Sequence, residues 1–324
     1  MAATRTTEDW DAAWSSTLRS GKKGRLTDNI FDEYPLLATL KKNSQEVEAG
    51  GKEFEEKYLY AKNVGTWFDG FDEQNTDSVD GITNGFAPCR YIAVPITISM
   101  TEEVENQGAA KVFDLLEAKT MQSTETMRDS VNAALLSAQT GKTTLGFQDW
   151  IADDPTTGTV AGINRASESW FRNKYYTTST DVDSKSGDIY AGMTALNSLW
   201  IDCSRGNKTP TDAVTTASVF GTFQTVFEST GYARMEVGDA EANPNVTKFN
   251  YRGCRIFYDR DAPTQHLYLW HRKSIRMKIM KGMNFSRTKF KEPHNQFAKV
   301  AFVVLGIQLM GVEPRTTGVA TTLT

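Results

Sequence analysis

"TEEVENQGAAKVFDLLEAKTMQSTETMRDSVNAALLSAQTG", residues 101–141, runs from one end to the other without a proline. Thr101 offers an N-cap, Glu102 and Glu103 put acids in the first turn, and Gly141 supplies a stop. Between them Val104, Val112, Phe113, Leu116, Met127, Val131, Leu135 and Ala138 recur at intervals of three and four, the spacing of one helical face. The pattern predicts one long helix, with at most one break near Thr120 to Thr126. Some forty residues at 1.5 Å each make it roughly 60 Å long.

A strand of similar length is predicted near the other end. In "FAKVAFVVLGIQLMGV", 297–312, Val300, Phe302, Val304 and Met310 occupy one alternating face and Ala301, Val303, Leu305, Ile307 and Leu309 the other. Fully extended, the run spans about 50 Å, well beyond the usual five or six residues. Helix and strand of matching length point to a flat, elongated plate.

The chain before the helix reads as an arm and a hairpin. In residues 1–45, Trp10, Trp14 and Leu18 fall at helical spacing, "SGKKGR" follows, and Pro35 interrupts "FDEYPLLATL", so a short amphipathic helix and a tether are expected. "EFEEKYLYAKN" (53–63) and "CRYIAVPITIS" (89–99) read as strands, the second with Ile92, Val94, Ile96 and Ile98 in alternation. Joined by 66–86 they make a long β-hairpin with a wide tip. After the helix, 141–250 is richer in Thr, Ser, Asp and Gly and holds two helix candidates, marked by Ile189, Met193, Leu196 and Trp200 and by Val219, Phe220, Phe223 and Phe227. "CRIFY", "HLYLW" and "SIRMKIM" then read as strands.

Composition suits a folded protein of this size: 324 residues, 39% hydrophobic and 23% charged. The net charge of −4 gives no global basic field for nucleic acid. Cys89, Cys203 and Cys254 are odd in number and far apart, which argues for buried thiols over a disulfide framework or a zinc site. The N-terminus lacks the basic and apolar regions of a secretion signal. The run at 297–312 is too short and interrupted for a membrane span.

Motifs for chemistry are sparse. "LSAQTGKTTL" ends in the Gly-Lys-Thr of a phosphate-binding loop, but Leu136 stands where the motif needs Gly, and a helix precedes it where a strand is required. His266 and His271 are five apart in a strand-like run and project to opposite faces, so they cannot share a metal there. Pairs such as Asp153 and Asp154, or Asp259 and Asp261, read as solvated turns and caps. No catalytic, cofactor or metal site is predicted.

Two charge blocks stand out instead. "TWFDGFDEQNTDSVDGITNGF", 66–86, has Trp67, Phe68 and Phe71 near one end, the acids Asp69, Asp72, Glu73, Asp77 and Asp80, and no Lys or Arg. With nothing to activate a nucleophile, such a loop fits contact with another chain better than catalysis. From Arg272 to Lys291 eight bases occur with no acid. That segment reads as a solvated strand face, as a contact for DNA backbone, or as the counterpart of the acidic loop in a neighbour. On the last reading Trp67, Phe68, Asp69, Phe71, Asp72, Glu73, Arg272, Arg276 and Lys278 are candidate subunit-interface residues. Trp10 and Trp14, on one helical face of an arm too short to bury them, are candidates on separate grounds, expected to dock the arm on the shell or a neighbour.

The order of arm, long hairpin, long helix, mixed domain and closing strands resembles the major capsid protein of tailed bacteriophages, with its α+β Hong-Kong-97-type fold. "LTDNIFDEYPLLATLKK" (26–42), "DGITNGFAPCRYIAVPITIS" (80–99), "GINRASESWFRN" (162–173) and "NQFAKVAFVVLGIQLMGVEPR" (295–315) are similar to recurring stretches in such proteins. The resemblance implies an N-terminal arm at 1–48, an extended loop at 49–99, a peripheral domain of 100–140 and 276–313 with the spine helix, an axial domain at 141–275 and a tail at 314–324. It implies a non-enzymatic shell protein that assembles in the host cytoplasm into the hexamers and pentamers of an icosahedral virion head around double-stranded DNA. A portal protein is an implied partner, no membrane is, and there is room for a decoration protein. Some relatives begin with a scaffolding segment of about a hundred residues for which the arm has no room, so a separate scaffolding protein is expected. Lys52, Lys57 and Lys62 lie in the hairpin, but no acceptor Asn or catalytic Glu matches the cross-linking relatives. The alternatives are an encapsulin-like nanocompartment shell and, on the Gly-Lys-Thr, an ATP-binding enzyme.

Overall fold

The computed structural model describes residues 34–73, 76, 79–105, 115–177, 191–229, 249–294, 296–321 and 323. The expected arm helix with Trp10 and Trp14 lies outside them. In chain order the elements are α1 (Pro35–Asn43), β1 (Gln45–Glu48), β2 (Glu53–Leu59), β3 (Ile82–Pro88), β4 (Arg90–Ser99), α2 (Met100–Glu105) and α3 (Leu115–Leu136). Next come α4 (Phe147–Trp150), β5 (Thr159–Val160), β6 (Ile163–Asn164), β7 (Lys174–Thr177), α5 (Ala191–Cys203), β8 (Asp212–Thr215) and α6 (Ala217–Ser229). The chain closes with β9 (Phe249–Tyr251), β10 (Cys254–Tyr258), β11 (Leu267–Trp270), β12 (Ile275–Met280), β13 (Ser286–Arg287), β14 (Ala298–Gly311) and β15 (Thr317–Thr321).

Three local expectations are corrected. Pro35 begins α1 rather than interrupting the chain: at the first helical position its missing N–H costs nothing and its fixed φ fits the helix. The cap of α2 is Ser99, not Thr101. The Ser99 hydroxyl accepts from the Thr101 amide at 3.2 Å while the Glu102 carboxylate accepts from the Ser99 amide at 3.1 Å, the reciprocal pair of a capping box. The hairpin partner of β2 is β3, in antiparallel register from Glu53↔Pro88 to Leu59↔Ile82; β4, which the sequence offered for that place, pairs with β14. "ITNGFAP" carries Asn, Gly and Pro, residues depleted in strands, so propensity favours the β-branched run after it. Gly85 shows why β3 tolerates this composition: a Cβ there would lie 2.8 Å from the Tyr58 ring, a close approach that excludes a side chain.

The predicted long helix is helical at 100–105 and at 115–136; residues 106–114, on which its continuity over 101–141 rests, lie outside the described residues. Helix α3 passes through 120–126 unbroken and stops at Leu136, five residues before Gly141. Strand β14 has 14 residues, and β4 buries Ile96 and Ile98 while Thr97 faces out.

The chain forms two units. One takes Ile92–Ser130 and Gly282–Leu305, the other Tyr34–Tyr91, Val131–Lys281 and Gly306–Thr324. In the first, the Ser123 hydroxyl donates to the Pro95 carbonyl at 3.0 Å, Lys119 Nζ lies 3.5 Å from Glu102, and β13 pairs with β14 at Ser286↔Val304.

In the second unit β1 runs parallel to β12, and β12 antiparallel to β14 from Ile275↔Gly311 to Ile279↔Ile307. A separate six-stranded sheet has the order β7-β15-β11-β8-β10-β9. Leu196, Leu199 and Cys203 of α5 and Val219, Phe220 and Phe223 of α6 share a core with Ala213, Ile256, Leu267 and Leu269 of that sheet. All three cysteines are buried and unbonded, and burial pushes the Cys203 thiol up to about 12. One amide ties distant segments together: Asn132 Nδ2 donates to Asp259 Oδ1 at 2.9 Å and Asp261 Oδ2 at 2.8 Å, while Asp259 Oδ2 accepts from the Leu36 amide at 3.3 Å. Burial raises the Asp259 pKa from the usual carboxylate range.

Trp150 of α4 donates its indole N–H to the Leu309 carbonyl at 3.0 Å, and Tyr58 donates to the Gly311 carbonyl at 2.5 Å. A Cβ on Gly311 would collide with the buried Trp150 ring. Gly311→Ala is therefore expected to destabilise this unit by about 1–3 kcal/mol, the usual cost of overpacking. Urea unfolding of the unassembled subunit measures it, and an unchanged midpoint would show that the ring moves aside freely.

Candidate subunit-contact surface

Residues 60–81 leave β2 and return to β3 as the tip of the hairpin. At 69–72 the chain turns tightly: the Asp72 carboxylate accepts from the Asp69 amide at 2.9 Å, the Asp72 amide donates to the Asp69 carbonyl at 3.3 Å, and Gly70 takes a φ of +57°. That conformation suits glycine. The turn leaves Trp67 and Phe71 fully exposed, at 103% and 106%, and Phe68 exposed at 66%. Asp69, Asp72, Glu73 and Asp80 are exposed around them. Rings this open on a folded chain lack the burial that aromatic side chains normally gain.

The basic segment is placed differently from the expectation. Arg276 lies 2.8 Å from Glu46 and 3.6 Å from Glu56. Lys278, expected at an interface, is 3% exposed and pairs with Glu56 at 3.1 Å and Glu48 at 3.2 Å while donating to the Glu55 carbonyl at 2.7 Å. Arg272 lies 3.7 Å from the fully buried Asp212, which Arg255 also meets at 2.6 Å. For Arg276 and Lys278 the cause is the parallel pairing of β1 with β12, which sets Gln45↔Met277 and Glu46↔Lys278 side by side. These cations thus have partners in their own chain, which leaves Lys278 little to offer a neighbour's loop. Lys281, Arg287, Lys289 and Lys291 of the same block remain exposed.

The Gly-Lys-Thr forms a tight turn, not a phosphate cradle. The Thr143 amide donates to the Thr140 carbonyl at 3.1 Å, and the Thr140 amide to the Thr143 hydroxyl at 2.8 Å. The next helix, α4, begins only at Phe147, so no helix N-terminus faces Lys142 as a phosphate loop requires. His266 pairs with Asp153 at 3.1 Å and stacks on Tyr268. Among the described residues there is no cluster that could hold a metal and no helix long and apolar enough to cross a membrane.

No protein-family model and no curated sequence matches the chain. Solved structures do. The chain is similar to the capsid protein of cyanophage A-1(L), with 15% identity and a TM-score of 0.67 over 94% of this chain and 97% of that one. The fold is that of the tailed-phage capsid proteins. This Hong-Kong-97-type fold also aligns with the capsid of Myoviridae phage XM1 (12% identity, TM-score 0.58, covering 95% and 98%). It aligns as well with the holo-SrpI encapsulin of Synechococcus elongatus PCC 7942 (10% identity, TM-score 0.62, covering 99% and 96%).

Proposed function

We propose that this chain is the major capsid protein of a tailed phage, a structural protein whose hexamers and pentamers close into an icosahedral head around double-stranded DNA. The observation that carries this is the end-to-end match: 94% of the chain and 97% of a cyanophage capsid protein superpose, leaving little of either chain for another activity. In this reading 1–48 is the arm, 49–99 the extended loop, 100–140 and 276–313 the peripheral domain, 141–275 the axial domain and 314–324 the tail. Trp10 and Trp14 dock the arm on the shell or a neighbour, and Trp67, Phe68 and Phe71 seat the loop on an adjacent subunit. Scaffolding and portal proteins are the assembly partners, a decoration protein is an optional addition, and the host cytoplasm is where shells form. The protein is not an enzyme in this reading; the turn at Lys142 gives nucleotide no cradle.

The match to the encapsulin over 99% of the chain supports a second reading, a shell around protein cargo. Electron microscopy of the purified chain should show shells or capsomer rings, and monomers alone would count against both readings. Particles isolated from the native source with an antibody to the chain then decide between them. Nuclease-resistant double-stranded DNA is expected inside a capsid, whereas a protein cargo without DNA would overturn the capsid reading.

A further inference from the structure

Within the second unit, Arg172, Lys174, Arg205 and Arg315 line one cleft of about 590 Å³, inside the usual range of ligand pockets. Asp202 is the single acid on its wall, although acids outnumber Lys and Arg by 40 to 36 in the chain as a whole. Among the described residues none of these four cations is in an ion pair.

Two of them are held in place by the backbone. Arg172 donates from Nε to the Arg165 carbonyl and from a terminal nitrogen to the Ala166 carbonyl, both at 2.7 Å, and Arg315 Nε donates to the Trp170 carbonyl at 3.1 Å. Each guanidinium keeps further N–H donors, so the forks are oriented before any ligand arrives. Asn173, buried beneath the cleft, fixes the chain there by donating to the Ala152 and Lys174 carbonyls and accepting from the Ala152 amide. Tyr175, 48% exposed, adds an open ring to the same wall.

We propose that this cleft binds phosphate oxyanions, carried either by a nucleic-acid strand or by a free phosphate or nucleotide. Four cations against one acid on the wall favour a doubly or multiply charged anion, and rigid guanidinium forks match phosphate oxygens in pairs. A peptide carboxylate would satisfy the charge but would leave the Tyr175 ring unused. A base beside its phosphate can stack on that ring, as bases do on aromatic platforms between cations. The inference does not depend on what the shell encloses.

The test is fluorescence anisotropy of a labelled oligothymidylate with the purified chain at low salt, with inorganic pyrophosphate and polyglutamate as competitors. Lys174→Ala with Arg205→Ala is the working variant, because both side chains are exposed and hold no other element. Affinity should fall about tenfold or more, and the slope of log affinity against log salt by about 1.4, two cations' share on a single strand. Lys142→Ala, an exposed lysine in the turn at 140–143, should change nothing. Competition by pyrophosphate together with indifference to Tyr175→Ala would assign the site to isolated phosphate groups. Loss of oligonucleotide affinity in Tyr175→Ala would assign it to a strand. Binding that is unchanged in the double variant, absent altogether, or displaced as well by polyglutamate as by pyrophosphate overturns the proposal.

Discussion

Glu56→Gln is expected to destabilise the subunit by about 3 kcal/mol, the low end of the cost of leaving a buried charge without its partner. Lys278 sits in β12 between β1 and β14 with 3% exposure. Its ammonium has three N–H donors, and three acceptors meet them: the Glu55 carbonyl at 2.7 Å, Glu56 at 3.1 Å and Glu48 at 3.2 Å. Only Glu56, with 12% of its side chain exposed, is buried enough to escape strong screening by water; Glu48 is exposed at 39%. Removing the Glu56 charge therefore strands the ammonium beside a weak, screened partner. The same argument predicts a rescue. Lys278→Met in the Glu56→Gln chain removes the stranded charge and fills the space with a flexible apolar side chain, so the double variant should return to within about 1 kcal/mol of the native chain. Urea midpoints of the unassembled subunit measure both. A loss under about 1 kcal/mol in Glu56→Gln would mean that water reaches Lys278, and a double variant no better than the single would show that packing rather than charge is at stake.

This cluster marks a limit of reading the chain as a string. Glu46 and Glu48 meet Arg276 and Lys278 only because β1 and β12 pair in parallel across more than two hundred intervening residues, and no local pattern announces such a pairing. "SIRMKIM" shows the period of two that predicts a strand with one polar face. The structure keeps the strand but covers that face. The cleft has the same origin: parallel pairing of β7 with β15 sets Gly318↔Lys174, so Arg172 and Arg315 converge although they are far apart in sequence.

What was legible rests on strong local periodicity. The apolar run of β14, the alternation of β4 and the spacing of α3 each repeat over enough residues to outweigh exceptions. What was misread rests on single residues with two meanings. Pro35 can stop a helix or start one, and Gly85 can break a strand or admit the Tyr58 ring against it. The contact role of the loop is read from composition alone, five acids and three clustered rings without a Lys or Arg, and the open rings of Trp67 and Phe71 accord with it.

Trp67→Ala with Phe71→Ala is expected to raise the concentration needed for shell assembly on the order of a hundredfold or more, two aromatic hot spots' worth of contact. Both rings are fully exposed on the isolated subunit, so truncating them removes no packing within it. The variant should unfold at the same urea concentration as the native chain. That separation of effects is the signature of a contact surface, since a core residue would lower stability as well. The acids beside the rings should matter less. Asp69 and Glu73 are exposed, and reversing them to Lys should slow assembly at low salt more than it shifts the end point, as rim charges steer encounter rather than hold the complex. Asp72 is a poor choice for that reversal, because its carboxylate closes the turn by accepting from the Asp69 amide. Light scattering across a concentration series gives the assembly threshold, and circular dichroism confirms the fold. If the double aromatic variant assembles at the native threshold, these rings do not carry a subunit contact, and the exposed Phe297, at 85%, becomes the next aromatic to truncate.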